Sequence, residues 1–219
     1  MPQTHGPRAN VLFKMIIFGS VFFIAGLVWI LTIYFRSPFI TRVNVPIDQP
    51  LPFPHDLHVA GLGLDCRYCH SWVEASAFAD ISPTHTCMTC HSEILPDSPQ
   101  LILVNDSFRS GRPVDWNRVH NLADFAYFRH DIHVEKGIGC ETCHGRVDRM
   151  PLTWKTETMY MEWCLECHRE PERFIRPRER VFEMGYAPPE DQLALGSRLV
   201  DEYQIAAAWQ LTDCSLCHQ

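Results

Sequence analysis

Apolar and polar residues follow three different patterns along this chain. From Met15 to Phe35 the sequence MIIFGSVFFIAGLVWILTIYF holds no charged residue. As an α-helix those positions span roughly 30 Å, the thickness of a bilayer hydrocarbon core. Trp29, Tyr34 and Phe35 gather toward its C-terminal end, where interfacial aromatic residues sit. A cleaved signal peptide has a shorter apolar stretch and a small-x-small site; this one ends in Tyr-Phe-Arg-Ser-Pro. The pattern therefore predicts a retained transmembrane anchor over 15–36 after a tail at 1–14. Residues 37–52 break all periodicity with Pro38, Pro46, Pro50 and Pro52, which predicts a stiff, extended stalk. Beyond it the pattern is short-ranged. Leu101-Ile-Leu-Val104, inside the Pro-containing stretch 92–115, predicts one short strand. Leu193, Leu195, Leu199, Val200 and Tyr203 predict an amphipathic helix over 189–211. The expected fold is mostly irregular, with short α-helices and little β-structure.

Cysteine supplies what the hydrophobic pattern lacks. All ten cysteines fall in five copies of C-x-x-C-H: Cys66/Cys69/His70, Cys87/Cys90/His91, Cys140/Cys143/His144, Cys164/Cys167/His168 and Cys214/Cys217/His218. This is the attachment motif of c-type haem, two thiols for the haem vinyl groups and an adjoining imidazole for the iron. Zinc sites, redox dithiols and disulfide frameworks use C-x-x-C too, but none requires His directly after the second Cys. Five covalently bound haem c groups are expected, and with them a chain that does not fold without cofactor.

Haem attachment also fixes the expected orientation. Arg8 and Lys14 precede the apolar stretch while Arg36 and Arg42 follow it, so flanking charge is balanced. Haem c is attached outside the cytoplasm, which places the N-terminus inside and the haem region in the periplasm. The formal net charge of −7 and the absence of Lys/Arg runs argue against nucleic-acid binding.

Two stretches repeat. Phe53-Pro-His55-Asp-Leu-His58-Val precedes the first motif and Phe128-Arg-His130-Asp-Ile-His133-Val precedes the third. Each is followed by a second motif, Cys87 or Cys164, which suggests a duplicated two-haem module with a fifth haem appended. The expected modules are 53–119, 120–177 and a C-terminal helix with the last haem at 178–219. Histidines three apart on a helical turn share a side yet diverge, so each can serve a different haem. The Phe two residues before the first His is expected to pack on a porphyrin.

Five proximal histidines leave His55, His58, His85, His120, His130 and His133 beyond the anchor for five distal positions. The repeated four, with His120 as the fifth, give bis-His haems suited to low-potential electron transfer. His85, two residues before Cys87, and Met159 and Met161, just before Cys164, remain open as alternatives, with Met88, Met150 and Met184 also available.

The F-x-H-x-x-H and C-x-x-C-H combination resembles the class III multihaem cytochromes of the c3 and c7 type. With the N-terminal apolar helix, the stretch WNRVHNLADFAYFRHDIHV at 116–134 and MEWCLECHR at 161–169, the chain is similar to the membrane-anchored pentahaem cytochrome subunits of alternative complex III. That resemblance implies an electron-transfer subunit of a quinol:electron-acceptor oxidoreductase. Its partners would be an iron–sulfur subunit, a quinol-oxidising membrane core, and a monohaem cytochrome c subunit or a soluble acceptor. No catalytic residue is expected in this chain. Two other readings are a stand-alone membrane-anchored quinol dehydrogenase and a multihaem reductase. The second needs an open iron, and no C-x-x-C-K occurs to mark one.

Overall fold

The computed structural model describes residues 6–218; the first five residues of the expected 1–14 tail, His5 among them, lie outside that range. The described chain divides into two units, the first ending at Arg42 and the second beginning at Val43.

The first unit is helix α1, Pro7–Arg36, and a helical turn α2, Pro38–Thr41. Its 30 residues make α1 about 45 Å long, so it begins eight residues before the apolar stretch. Pro7 at its start needs no N–H partner. It ends where Pro38 forces Ser37 into extended backbone (φ −72°, ψ 155°). The span Arg8–Arg36 is long and apolar enough to cross a membrane, and none of it is buried within the protein.

The second unit has no sheet among the described residues, only two isolated bridges, Val43 with Lys155 and Ile138 with Ile175. Its helices are short: α3 Cys66–Cys69, α4 Thr84–His91, α5 Ile102–Ser110, α6 His130–Glu135, α7 Cys140–His144, α8 Met161–Arg169, α9 Gln192–Glu202, α10 Ala208–Leu211 and α11 Cys214–Cys217. Every Cys-x-x-Cys pair lies in one of them, which puts its thiols on adjacent turns of one face. Asp65 and Asp213 cap α3 and α11 by accepting from the N–H groups of Arg67 and Ser215.

Three expectations change. Leu101–Val104 is the end of a 3-10 turn and the start of α5, not a strand. Val104 and Ser107 are buried one turn apart, so the period is helical, and Gly111 ends the helix in the left-handed region (φ 68°). A four-residue apolar run cannot distinguish the two states by itself. The stalk from Val43 onward does not stand clear. Asn44 and Ile47 donate to the carbonyls of Lys155 and Thr153, and Gln49 bonds with Asn117. The helix expected over 189–211 is broken, because Gln204 adopts a left-handed φ of 52° between α9 and α10.

The protein's own apolar core is small. Ile175, Leu199 and Tyr203 form its centre, with Ile138, Leu195, Val200 and Ile205 against it. Gly196 lets α9 lie directly on the carbonyl of Glu172, where any Cβ would collide. Only eight hydrophobic side chains among the described residues are buried, and of these Met150, Ile175 and Val181 are the largest that are fully so. By contrast Trp72, Phe78, Ile81, Ile94, Leu95 and Trp209, all near Cys-x-x-Cys-His motifs, are more than half exposed. That is more open apolar surface than a domain with a self-sufficient core leaves.

Candidate haem sites

Both F-x-H-x-x-H segments fold into one helical turn, π-type over Asp56–Gly61 in the first copy and α6 in the second. The two copies are nearly superposable in their ring contacts. Phe53 stacks on His58 (centroids 4.4 Å, planes 25° apart) and meets His55 edge-on at 4.8 Å. Phe128 stacks on His133 (4.5 Å, 29°) and meets His130 edge-on at 4.8 Å. The phenylalanine therefore braces the two imidazoles.

Three histidine pairs share one spacing. His58 faces His91 at 6.3 Å between centroids, His130 faces His144 at 6.3 Å, and His133 faces His168 at 6.2 Å. Two imidazoles on opposite sides of one metal, each with a bond of about 2 Å and about 1.1 Å from nitrogen to ring centre, stand roughly 6.2 Å apart. Each pair joins one histidine of an H-x-x-H to one of a C-x-x-C-H. His55 lies by His70, whose charge would oppose its protonation.

Hydrogen bonds orient these rings. Nδ1 of His58, His70, His91, His130, His133, His168 and His218 lies 2.7–3.1 Å from the carbonyls of Pro54, Asp80, Ile94, Ala77, Arg129, Leu211 and Phe125 respectively. A carbonyl oxygen only accepts, so Nδ1 carries the proton and the neutral ring leaves the Nε2 lone pair for a metal. His55 Nδ1 pairs instead with Thr153 Oγ1 at 3.3 Å.

The surroundings of four histidines favour the neutral imidazole. Burial, then neighbouring His120, His130, His70 and His55, lowers the pKa of His144 to about 3. Burial, then His70 and His58, brings His55 to about 4, and burial also lowers His133. His120 falls to about 4 through burial and Lys155. Its Nε2 is buried without a hydrogen-bond partner, and its ring lies 4.3 Å from that of His144. Among the described residues no cluster of three or more His, Cys, Asp or Glu could hold a bare metal ion. Paired imidazoles beside paired thiols and open apolar faces suit a flat, covalently held macrocycle.

The other candidates are less committed. His85 is exposed in the first turn of α4. Met161 is 62% exposed, Met159 sits in a left-handed turn, and Met150 is fully buried. Sequence reading missed the residues that seat the third motif. Glu141, inside Cys-Glu-Thr-Cys, takes the buried Arg176 guanidinium at 3.1 Å and the N–H groups of Gly185 and Tyr186 at 2.6 and 3.0 Å. A lone Glu–Arg separation of 35 residues carries no signal in one sequence.

Comparison with known proteins agrees with this geometry. Residues 126–219 match the family described as cytochrome c7 and related cytochrome c. Over 142 residues the chain is 30% identical to the multihaem cytochrome c subunit of a menaquinone reductase from Nitratidesulfovibrio vulgaris, covering 55% of this chain and 68% of the relative. The chain belongs to the c7-related multihaem cytochromes c. The matched region begins just before the second F-x-H-x-x-H, so it holds the third, fourth and fifth motifs. As a multihaem cytochrome c, the protein carries covalent haem and transfers electrons, and the sheetless, mostly helical and irregular fold follows from building around cofactors.

Proposed function

We propose that this cytochrome is the pentahaem, membrane-anchored electron-transfer subunit of a quinone-linked oxidoreductase complex. The observation that carries the reading is the set of three histidine pairs at 6.2–6.3 Å with Nε2 left to the metal. A bis-His iron has no open position, so it exchanges electrons without binding substrate. His55, His58, His120, His130 and His133 are the distal ligands, and His70, His91, His144, His168 and His218 the proximal ones. Bound haem supplies one-electron redox chemistry; the chain's residues attach it and set the orientation of its axial imidazoles.

Helix α1 anchors the protein in the cytoplasmic membrane with its N-terminus inside, and the haem region lies on the periplasmic face. The resemblance to alternative complex III favours electrons arriving from a quinol-oxidising core through an iron–sulfur subunit. They would leave to a monohaem cytochrome c or a soluble acceptor. A second reading is supported by the menaquinone reductase relative: the same architecture passing electrons toward quinone.

Purification in mild detergent tests both. A multi-subunit membrane complex whose oxidised spectrum contains only low-spin haem is expected. Isolation as a lone reductase with a large CO-binding, high-spin fraction would count against the proposal. Whether quinol reduces the haems, or reduced haems drive quinone reduction, separates the two directions.

A further inference from the structure

The order of the five motifs in space differs from their order in sequence. Tyr68, between Cys66 and Cys69, hydrogen-bonds through its hydroxyl to Thr89, between Cys87 and Cys90, at 2.6 Å. This joins the first motif to the second. Beyond it, the second motif's helix α4 packs on α5.

The first motif meets the third through a reciprocal exchange. His55 and Asp56 donate their backbone N–H groups to the carbonyl of Met150, just past the third motif. His130 donates its N–H to the carbonyl of Ala77, just past the first, and Asp131 donates to Ser76. His130 Nδ1 returns to the same Ala77 carbonyl. The thiols of Cys66 and Cys140 are within hydrogen-bonding reach of each other. Each module thus lays its H-x-x-H turn on the other module's loop.

His130 and His133, on one turn, face His144 and His168, which joins the third motif to the fourth. Nδ1 of His168 then donates to the carbonyl of Leu211, at the end of α10, and α10 packs on α8. This brings in the fifth motif three residues later. On its other side the fifth is tied to residues 125–127 through His218 and Cys217.

We infer that the five attachment motifs form one unbranched line in the order second, first, third, fourth, fifth, so that partner proteins exchange electrons at the second and fifth motifs. This rests on the reading that all five carry haem. An approximate two-fold relation between the modules lies at the first–third contact, and the fifth motif extends one end only. The line inverts the first two motifs because the duplicated H-x-x-H turns clasp each other, which makes the first and third neighbours and pushes the second outward.

The test is a density map of the detergent-solubilised complex with all five irons located and each assigned by its thioether cysteines. The iron held at His70 is expected to have those at His91 and His144 as nearest neighbours, with those at His91 and His218 farthest apart. A redox partner is expected nearest to one of these two ends. Finding the His218 iron nearest that at His70 or His91, a branched arrangement, or a partner's redox centre nearest the His144 iron would overturn the inference. A second readout uses a Tyr68→Phe variant of the complex. Its haem content should stay at five, and the EPR signal assigned to the His91 haem should shift while that of the His218 haem does not. The reverse pattern contradicts the order. Fewer than five irons, or the absence of quinone-linked subunits, would instead refute the functional reading and leave the order of the remaining motifs readable.

Discussion

His130 and His144 face each other with ring centroids 6.3 Å apart and planes only 12° from parallel, although they belong to different motifs. His130 is held by the Ala77 carbonyl and the edge of Phe128, and His144 by deep burial. The pair exists before any metal is considered, as a preorganised site requires.

In the proposed ligand set, replacing His133 or His58 by Met changes one axial ligand in a braced pair. His/Met haems sit at higher potential than bis-His ones. Redox titration should show one centre raised by on the order of 100 mV and the others little changed. An unaltered titration removes that residue from the ligand set.

Arg176→Leu leaves the partly buried Glu141 without its guanidinium. Breaking such a pair costs about 3–5 kcal/mol. Thermal unfolding should fall by several degrees, and spectral change at the haem proposed for the third motif should precede the others. If the melting temperature stays within a degree, Arg176 does not seat the third motif.

Gly196→Val drives side-chain carbons into the Glu172 carbonyl. Overpacking of this kind costs about 1–3 kcal/mol. Denaturant unfolding should show a lower midpoint with all haems still attached, since α9 contributes to the protein core and not to an attachment motif.

Arg146 holds the buried Asp148 carboxyl below its ordinary value of 3.8 by hydrogen bonds of 2.8 and 2.6 Å. A carboxylate lowered on folding stabilises the protein above the unfolded value and loses that contribution as pH falls through the folded one. Asp148→Asn should therefore cost about 1–2 kcal/mol near neutrality. The difference from the unaltered protein should shrink as the pH falls below 3.8. A constant difference across that range would contradict the ion pair.

Chain made where haem is not attached should lack cooperative unfolding and near-ultraviolet circular dichroism. With eight buried hydrophobic side chains among the described residues, the polypeptide does not supply the apolar burial that ordering it requires. A sharp thermal transition in the haem-free chain would refute this.

Five C-x-x-C-H motifs, the repeated F-x-H-x-x-H and the uncharged stretch over 15–35 are local patterns, and each was readable without coordinates. They determined the cofactor type, the helical character of both H-x-x-H turns and a helix of membrane-spanning length, because covalent attachment and helix periodicity act between residues a few positions apart. The tertiary structure alone decided that the phenylalanines brace imidazoles, that Leu101–Val104 begins a helix, and that 43–49 lies along 153–155 and 117. It alone paired His58 with His91 and His133 with His168, and set the first motif against the third. Those relations join residues tens of positions apart. Ring stacking, a carbonyl reached across two modules and a buried Glu–Arg pair leave no periodic trace in one sequence, since any of many His, Asp or Arg residues satisfies the local pattern equally well.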